Sequence, residues 1–449
     1  MKRYIILAVC MAAVSLGACS NESKLPQATG KGTVRAINTI PTSPTFTFLI
    51  EERIAGTADY KSSSATSSWD DLEYTFNFET FLTADTTRTR VASEFLDVEA
   101  DKDYTFVISG AVAAPSISVW EGDVREWGGD ETSFEIRFAH TAETLGDVDV
   151  YFAAPGIAPV LGSEVGTLSF GEIIPAVDFE AGEFVMTITA SRDPATVLFE
   201  SDPFTAIARS ASILTVFDGD PNDLGPLAIR LINLTSGGTG ALVDANFLPT
   251  VRFFHASIDF DTSDIYIDDP LGTPIVMDHA FIDVTGDVPI TAGDLPLTYT
   301  TAGSMGSILI DLDRSVSPGT RRNYYIVNAS TGEDVLVVAT TDRRPVETIA
   351  RLSLINTAAN HSAVDAYVVP ADETIDEAFP LLPGLAVGNS PATLPIFAGS
   401  YDIYVTVLGE KTIILGPVRI DLANSDIVNA IIYDNVDPAT ADLVFIPLP

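Results

Sequence analysis

Ile136-Arg137-Phe138-Ala139-His140-Thr141 decides the fold class of this chain, because the chain repeats it four times. Its counterparts are Val34-Arg35-Ala36-Ile37-Asn38-Thr39 and Val251-Arg252-Phe253-Phe254-His255-Ala256. The fourth is Leu352-Ser353-Leu354-Ile355-Asn356-Thr357, with its arginine displaced to Arg351. Residues two apart share a face of a β-strand. Ile136, Phe138 and His140 therefore face a core together, and Arg137 and Ala139 face away. Val251, Phe253 and His255 repeat the arrangement. Three copies are followed by Val148-Asp149-Val150-Tyr151, Ser263-Asp264-Ile265-Tyr266 and Val364-Asp365-Ala366-Tyr367. A repeat of roughly one hundred residues is too long for a solenoid turn and fits one small domain per unit. The expectation is four independent sandwiches, at 34–130, 131–248, 249–346 and 347–449. Between the openings, runs rich in Val, Ile, Thr, Phe and Tyr alternate with clusters of Gly, Pro, Asp and Ser, as strands alternate with turns. Only Asp71 to Phe81 and Asp372 to Phe379 invite a short helical turn. The predicted fold class is all-β: tandem immunoglobulin-like antiparallel β-sandwich domains following a lipidated tether.

The first residues read as an address. Lys2 and Arg3 precede an apolar run from Tyr4 to Leu16, and Leu16-Gly17-Ala18 leads into Cys19. This is the layout of a secretory signal peptide over 1–18. The run is shorter than the ~20 residues a bilayer core requires of a spanning helix. Leu-Gly-Ala-Cys resembles the lipobox of bacterial lipoproteins. That resemblance implies lipid attachment at Cys19, a membrane partner through that lipid, and, with Ser20 next, the outer membrane, facing the periplasm or the cell surface. Residues 19–33 then read as the lipidated Cys and a tether.

Composition narrows the partners. Hydrophobic residues reach 46% against 19% charged, which suits packed cores and excludes general disorder. The net charge of −38 argues against nucleic acid, where phosphate neutralisation supplies much of the affinity. It also argues against electrostatic adhesion to anionic lipid. The two cysteines are Cys10, within the leader, and Cys19. A mature chain begun at Cys19 has no disulfide and no thiolate metal site.

The repeated openings, the Asp-x-Tyr strands and the later Ala-Gly turns (Ala181-Gly182, Ala292-Gly293, Ala398-Gly399) resemble the domain-of-unknown-function 4397 family. The resemblance covers nearly all of the chain after the tether and is weakest in the first unit. There Thr45-Phe46-Thr47-Phe48 replaces the Asp-x-Tyr strand. It implies architecture and envelope localisation, and no catalytic residue.

His140 and His255 alternate with Asn38 and Asn356 at one position, and Asn is neither an acid, a base nor a zinc ligand at neutral pH. A structural hydrogen bond closing a loop is the expectation. Asp149, Asp264 and Asp365 are expected on an outward face, with Asp149 and Asp264 paired to Arg137 and Arg252. Two acid clusters, Asp218 to Gly225 and Asp259 to Asp264, lack the full calcium-loop pattern. No nucleophile elbow, phosphate-binding loop or dinucleotide fingerprint occurs. No catalytic, cofactor-binding or metal residue is assigned, and no cofactor. The expected function is a non-enzymatic, lipid-anchored envelope protein presenting its modules to an envelope protein or glycan. The alternative is an enzyme or small-ligand or glycan carrier with a site at an interdomain cleft, stabilised by calcium.

Overall fold

The computed structural model describes residues 26–82, 87–258, 260–328, 334–339, 342–389 and 393–448. Cys19 and the leader lie outside the described residues. Eight sheets pack as four sandwiches, whose strands fall within 31–123, 133–242, 250–339 and 350–447. In the first sandwich the opening strand Lys31–Asn38 lies between Ser67–Asp70 and Lys102–Ala111, with Ala114–Asp123 outermost. The facing sheet runs Arg53–Ala58, Phe46–Ile50, Glu73–Thr80, Thr89–Asp97. The other three repeat this order, the second with two short additions, Phe204–Ala206 and Thr239–Leu242. All named strands pair antiparallel except the opening strand of each unit with its seventh strand (in the second unit, where Phe204–Ala206 is added, with its eighth), and these run parallel. Successive strands reverse direction, so the first and seventh run the same way.

Aromatic and aliphatic side chains fill each sandwich. Phe48 packs on Phe76, Phe78 and Phe106 at centroid distances of 5.9, 5.5 and 5.5 Å. Phe152 does the same with Phe138 and Phe184 at 5.4 and 4.5 Å. Each buried ring contributes about 1.5–3 kcal/mol of transfer free energy.

Neither expected helical turn forms. Glu73–Thr80 is a strand, because Tyr74, Phe76 and Phe78 alternate and a period of two puts all three on the core side. Residues 372–379 form an irregular loop that leaves Phe379 91% exposed.

The sandwiches are also not independent beads. A second set of apolar clusters joins them: Ile37, Val107 and Trp120 with Ala139, Ile213 and Ile232, and Phe254 and Tyr325 with Ile355 and Ile431. The cause lies in the opening strands, whose core-averted positions include Ile37, Ala139, Phe254 and Ile355. Two apolar sheet faces left to water would cost free energy, and docking removes both. Units one and two dock side by side, as do units three and four.

Strand direction gives each sandwich an entry end, where the opening strand starts, and a far end. Far ends meet within each pair: Tyr60 Oη donates to Asp218 O at 2.6 Å, and Phe281 meets Tyr433 at 5.2 Å. The second pair sits with its entry end on the far end of the first. There Arg344 donates to Pro41 O (2.9 Å) and Ser43 O (2.7 Å), and Arg321 to Asp223 O (2.9 Å).

Candidate functional site

The repeated His/Asn position closes the first loop of every sandwich. His140 lies at the core end of its strand, fully buried. Its Nε2 lies 3.1 Å from Gly146 O, and its Nδ1 accepts from Ala142 N at 3.2 Å. Asn38 makes the equivalent bonds to Ser43 Oγ (2.8 Å) and from Ile40 N (3.1 Å). Asn356 donates to His361 O (3.0 Å) and accepts from Ala358 N (3.0 Å). His255 lies 3.4 Å from Asp261 O, beside His279 at a centroid distance of 5.6 Å. Burial lowers the pKa of His140 and His255, and burial with the neighbouring His255 lowers that of His279 to about 4.

This sets a pH dependence. Unfolding returns His279 to an ordinary value near 6.5, so between pH 6.5 and 4 the unfolded chain binds a proton that the folded chain refuses. Stability in unit three is expected to be full above pH 6.5 and to fall by about 3 kcal/mol by pH 4. Urea midpoints measured from pH 7.5 to 4, with and without His279→Gln, check this; an equal slope in both contradicts it.

The repeated arginines do not face solvent and do not meet Asp149 or Asp264. Arg35 is fully buried and binds Asp103 through both terminal nitrogens (2.8 and 2.5 Å), with a further bond to Leu234 O of unit two (2.6 Å). Arg137 pairs with Glu135 (3.1 Å) and reaches Asp103 of unit one at 3.7 Å. It lies so close to Gly122 that a Cβ there would clash with its guanidinium. In units three and four, Arg252 (3.3 Å), Arg343 (3.2 Å) and Arg321 converge on Asp287, and Arg351 pairs with Asp342. The outward face of the opening strand is covered by the neighbouring unit or by the linker to it, so the expected surface ladder has no surface.

The Asp-x-Tyr carboxylates are buried loop fasteners. Asp149 accepts from Thr167 Oγ1 (2.6 Å) and Arg192 N (2.6 Å). Asp264 accepts from Asp278 N (2.9 Å) and Gly303 N (2.9 Å), and Asp365 from Gly384 N and Gly409 N, both 2.8 Å. In units two, three and four one carboxylate thus ties a neighbouring strand to a turn. The acid cluster Asp218 to Gly225 is likewise spent internally. Asp218 accepts from Glu143 N (2.7 Å), Lys61 pairs with Asp220 (2.7 Å) and Asp223, and Arg230 pairs with Asp223 (3.2 Å). Protein cations stand where a calcium ion would. Asp259 of the second cluster lies outside the described residues. Among the described residues no group of three or more His, Cys, Asp or Glu is set to hold a metal.

A cleft of about 550 Å³ opens where the two pairs meet, lined among others by Tyr60, Lys61, Asp220, Asp244 and Arg344. A more apolar cleft of about 460 Å³ adjoins it and shares Asp59, Arg344 and Arg351. Among the described residues Asp244 Oδ2, which is buried, has no partner, and burial pushes its carboxyl pKa up. Sequence reading missed Tyr60, Lys61, Asp103, Asp287 and Arg344. Arg343-Arg344, a basic pair in an acidic chain, was the one visible signal, and its partners come from distant segments.

A family model described as domain of unknown function (DUF4397) matches residues 32–151 and 249–367. The chain belongs to this family. Each matched segment starts at or just before the opening strand of one sandwich and ends in the Asp-x-Tyr strand of its docked neighbour. The family description assigns no activity. No curated protein matches. Among solved structures, the Bacillus anthracis TIE protein is similar at 8% identity, over 92% of this chain and 76% of that one, with a TM-score of 0.15. That likeness is too loose to bear on fold or role.

Proposed function

We propose that this DUF4397 protein is a non-enzymatic component of the bacterial cell envelope. It is held by lipid on Cys19 to the outer membrane and presents its sandwiches to an envelope protein or glycan. The observation that carries the reading is the use made of the repeated polar residues. His140, Asn38, Asn356, Asp149, Asp264 and Asp365 all bind backbone of their own unit, and Arg35 and Arg137 bind across a unit boundary. A family whose repeated residues build the scaffold is suited to spacing and display.

Cells fed an alkyne fatty acid test the anchor. The wild-type protein is expected to carry the label and sediment with membranes, and Cys19→Ser to do neither. Label retained by Cys19→Ser contradicts the attachment. The unpartnered Asp244 Oδ2 favours a second reading, a small-ligand or glycan carrier using the cleft between the pairs. Saturable binding of an envelope oligosaccharide, abolished by Asp244→Leu, would establish it.

A further inference from the structure

The free end of the first pair carries apolar side chains that no part of the described chain covers. The loop after Val148–Ala153 exposes Ile157 (65%), Val160 (61%) and Leu161 (61%), and the segment before Ala211–Asp218 exposes Ile207 (67%). These loops are neighbours. Ala153 pairs with Val185 on strand Gly182–Ala190, and the start of that strand pairs with Phe204–Ala206, so two adjacent strand pairings separate them. Four large aliphatic tips standing in water on one end of a sandwich are a patch rather than scattered exposure.

That end is also where the chain enters. Thr29 and Gly30 bind Asp71 (2.7 and 3.0 Å), and Asp101 N donates to Lys31 O at 2.9 Å, at the entry end of unit one. The entry end of unit two is tied alongside. Val124 N donates to Asp101 O (2.8 Å), Arg125 pairs with Asp178 (2.5 Å), and Arg209 donates to Gly129 O (3.1 Å). The opposite end of this pair is occupied by units three and four through Arg344 and Arg321. Whatever path residues 20–30 take, they cannot hold Cys19 more than roughly 40 Å from Lys31.

We propose that Ile157, Val160, Leu161 and Ile207 seat the protein on the bilayer that holds its lipid. The occupant is a phospholipid surface with zwitterionic headgroups. The inference rests on the lipid attachment proposed for Cys19. A tethered site meets its target at an effective concentration of millimolar order, so four aliphatic tips suffice for contact too weak to bind unaided. Glu51, Glu52, Asp97 and Asp101 stand at the same end and repel anionic headgroups. Seating stands the two pairs upright from the membrane, with unit four's Val436 (87% exposed) at the outer end.

The test uses full-length lipidated protein reconstituted into phosphatidylcholine vesicles. Leu161→Cys, or Val436→Cys as the control, supplies one free thiol for a polarity-sensitive dye. With bilayer-embedded quenching lipid, the dye at 161 is expected to be quenched about threefold more than at 436, and Ile157→Ser with Val160→Ser and Ile207→Ser should erase that difference. Vesicles rich in phosphatidylglycerol should reduce it. Protein that floats with the vesicles while both dyes are quenched equally overturns the seating and leaves the anchor standing. Protein that does not float at all shows that the anchor has failed. The same dyes on protein held to the vesicles by a histidine tag placed at residue 19 and a nickel-chelating lipid then decide the loops: preferential quenching at 161 sustains the proposal, and equal quenching overturns it.

Discussion

Asp103→Ala is expected to destabilise the first pair of sandwiches by about 3–5 kcal/mol, because it strands the buried guanidinium of Arg35 without its carboxylate. Arg35 is fully buried and Asp103 nearly so, and Arg137 of unit two leans on the same carboxylate. The loss should appear as a lower urea midpoint for units one and two, with units three and four unaffected. Replacing both partners by apolar residues, Arg35→Met with Asp103→Leu, should recover most of it, since burying a charge pair costs about as much as the pair returns. A double variant as unstable as Asp103→Ala alone would mean that the damage is loss of shape rather than an orphaned charge.

Phe253→Ala is expected to cost about 3–5 kcal/mol, and His255→Asn, two residues along the same strand face, under about 1. Phe253 is fully buried between Tyr299 and Tyr324, so truncation opens a cavity. His255 makes one long backbone bond, and Asn38 and Asn356 already do its work in units one and four. Hydrogen exchange in strand Thr250–His255 reads both directly. If His255→Asn cost as much as Phe253→Ala, the histidine would have a role beyond closing its loop.

Local features of this fold were legible. Alternation along Ile136 to His140 placed Phe138 and His140 inward, and the exchange of His for Asn at one position pointed to a hydrogen bond rather than chemistry. The docking of units was not legible, although its residues were in view. Ile37, Ala139, Phe254 and Ile355 sit on the face assumed to meet water, and a strand apolar on both faces is a buried strand. The spacing of Arg137 and Asp149 recurs in Arg252 and Asp264 and points to a pairing that the fold does not make. The true partners, Glu135 and Asp103, are a near neighbour and a residue of another unit. Spacing along one chain cannot see across an interface. The helical turn expected at Asp71 to Phe81 failed for a local reason, since Tyr74, Phe76 and Phe78 already declare a period of two.

Solution X-ray scattering from the full chain carrying Cys19→Ser tests most directly whether the docked apolar faces, with Arg321 and Arg344, hold the four sandwiches in one body. Docked units predict a radius of gyration of about 22–28 Å, near that of a single compact body of this length. Four freely jointed sandwiches would give roughly 35 Å or more, and that result would contradict the account.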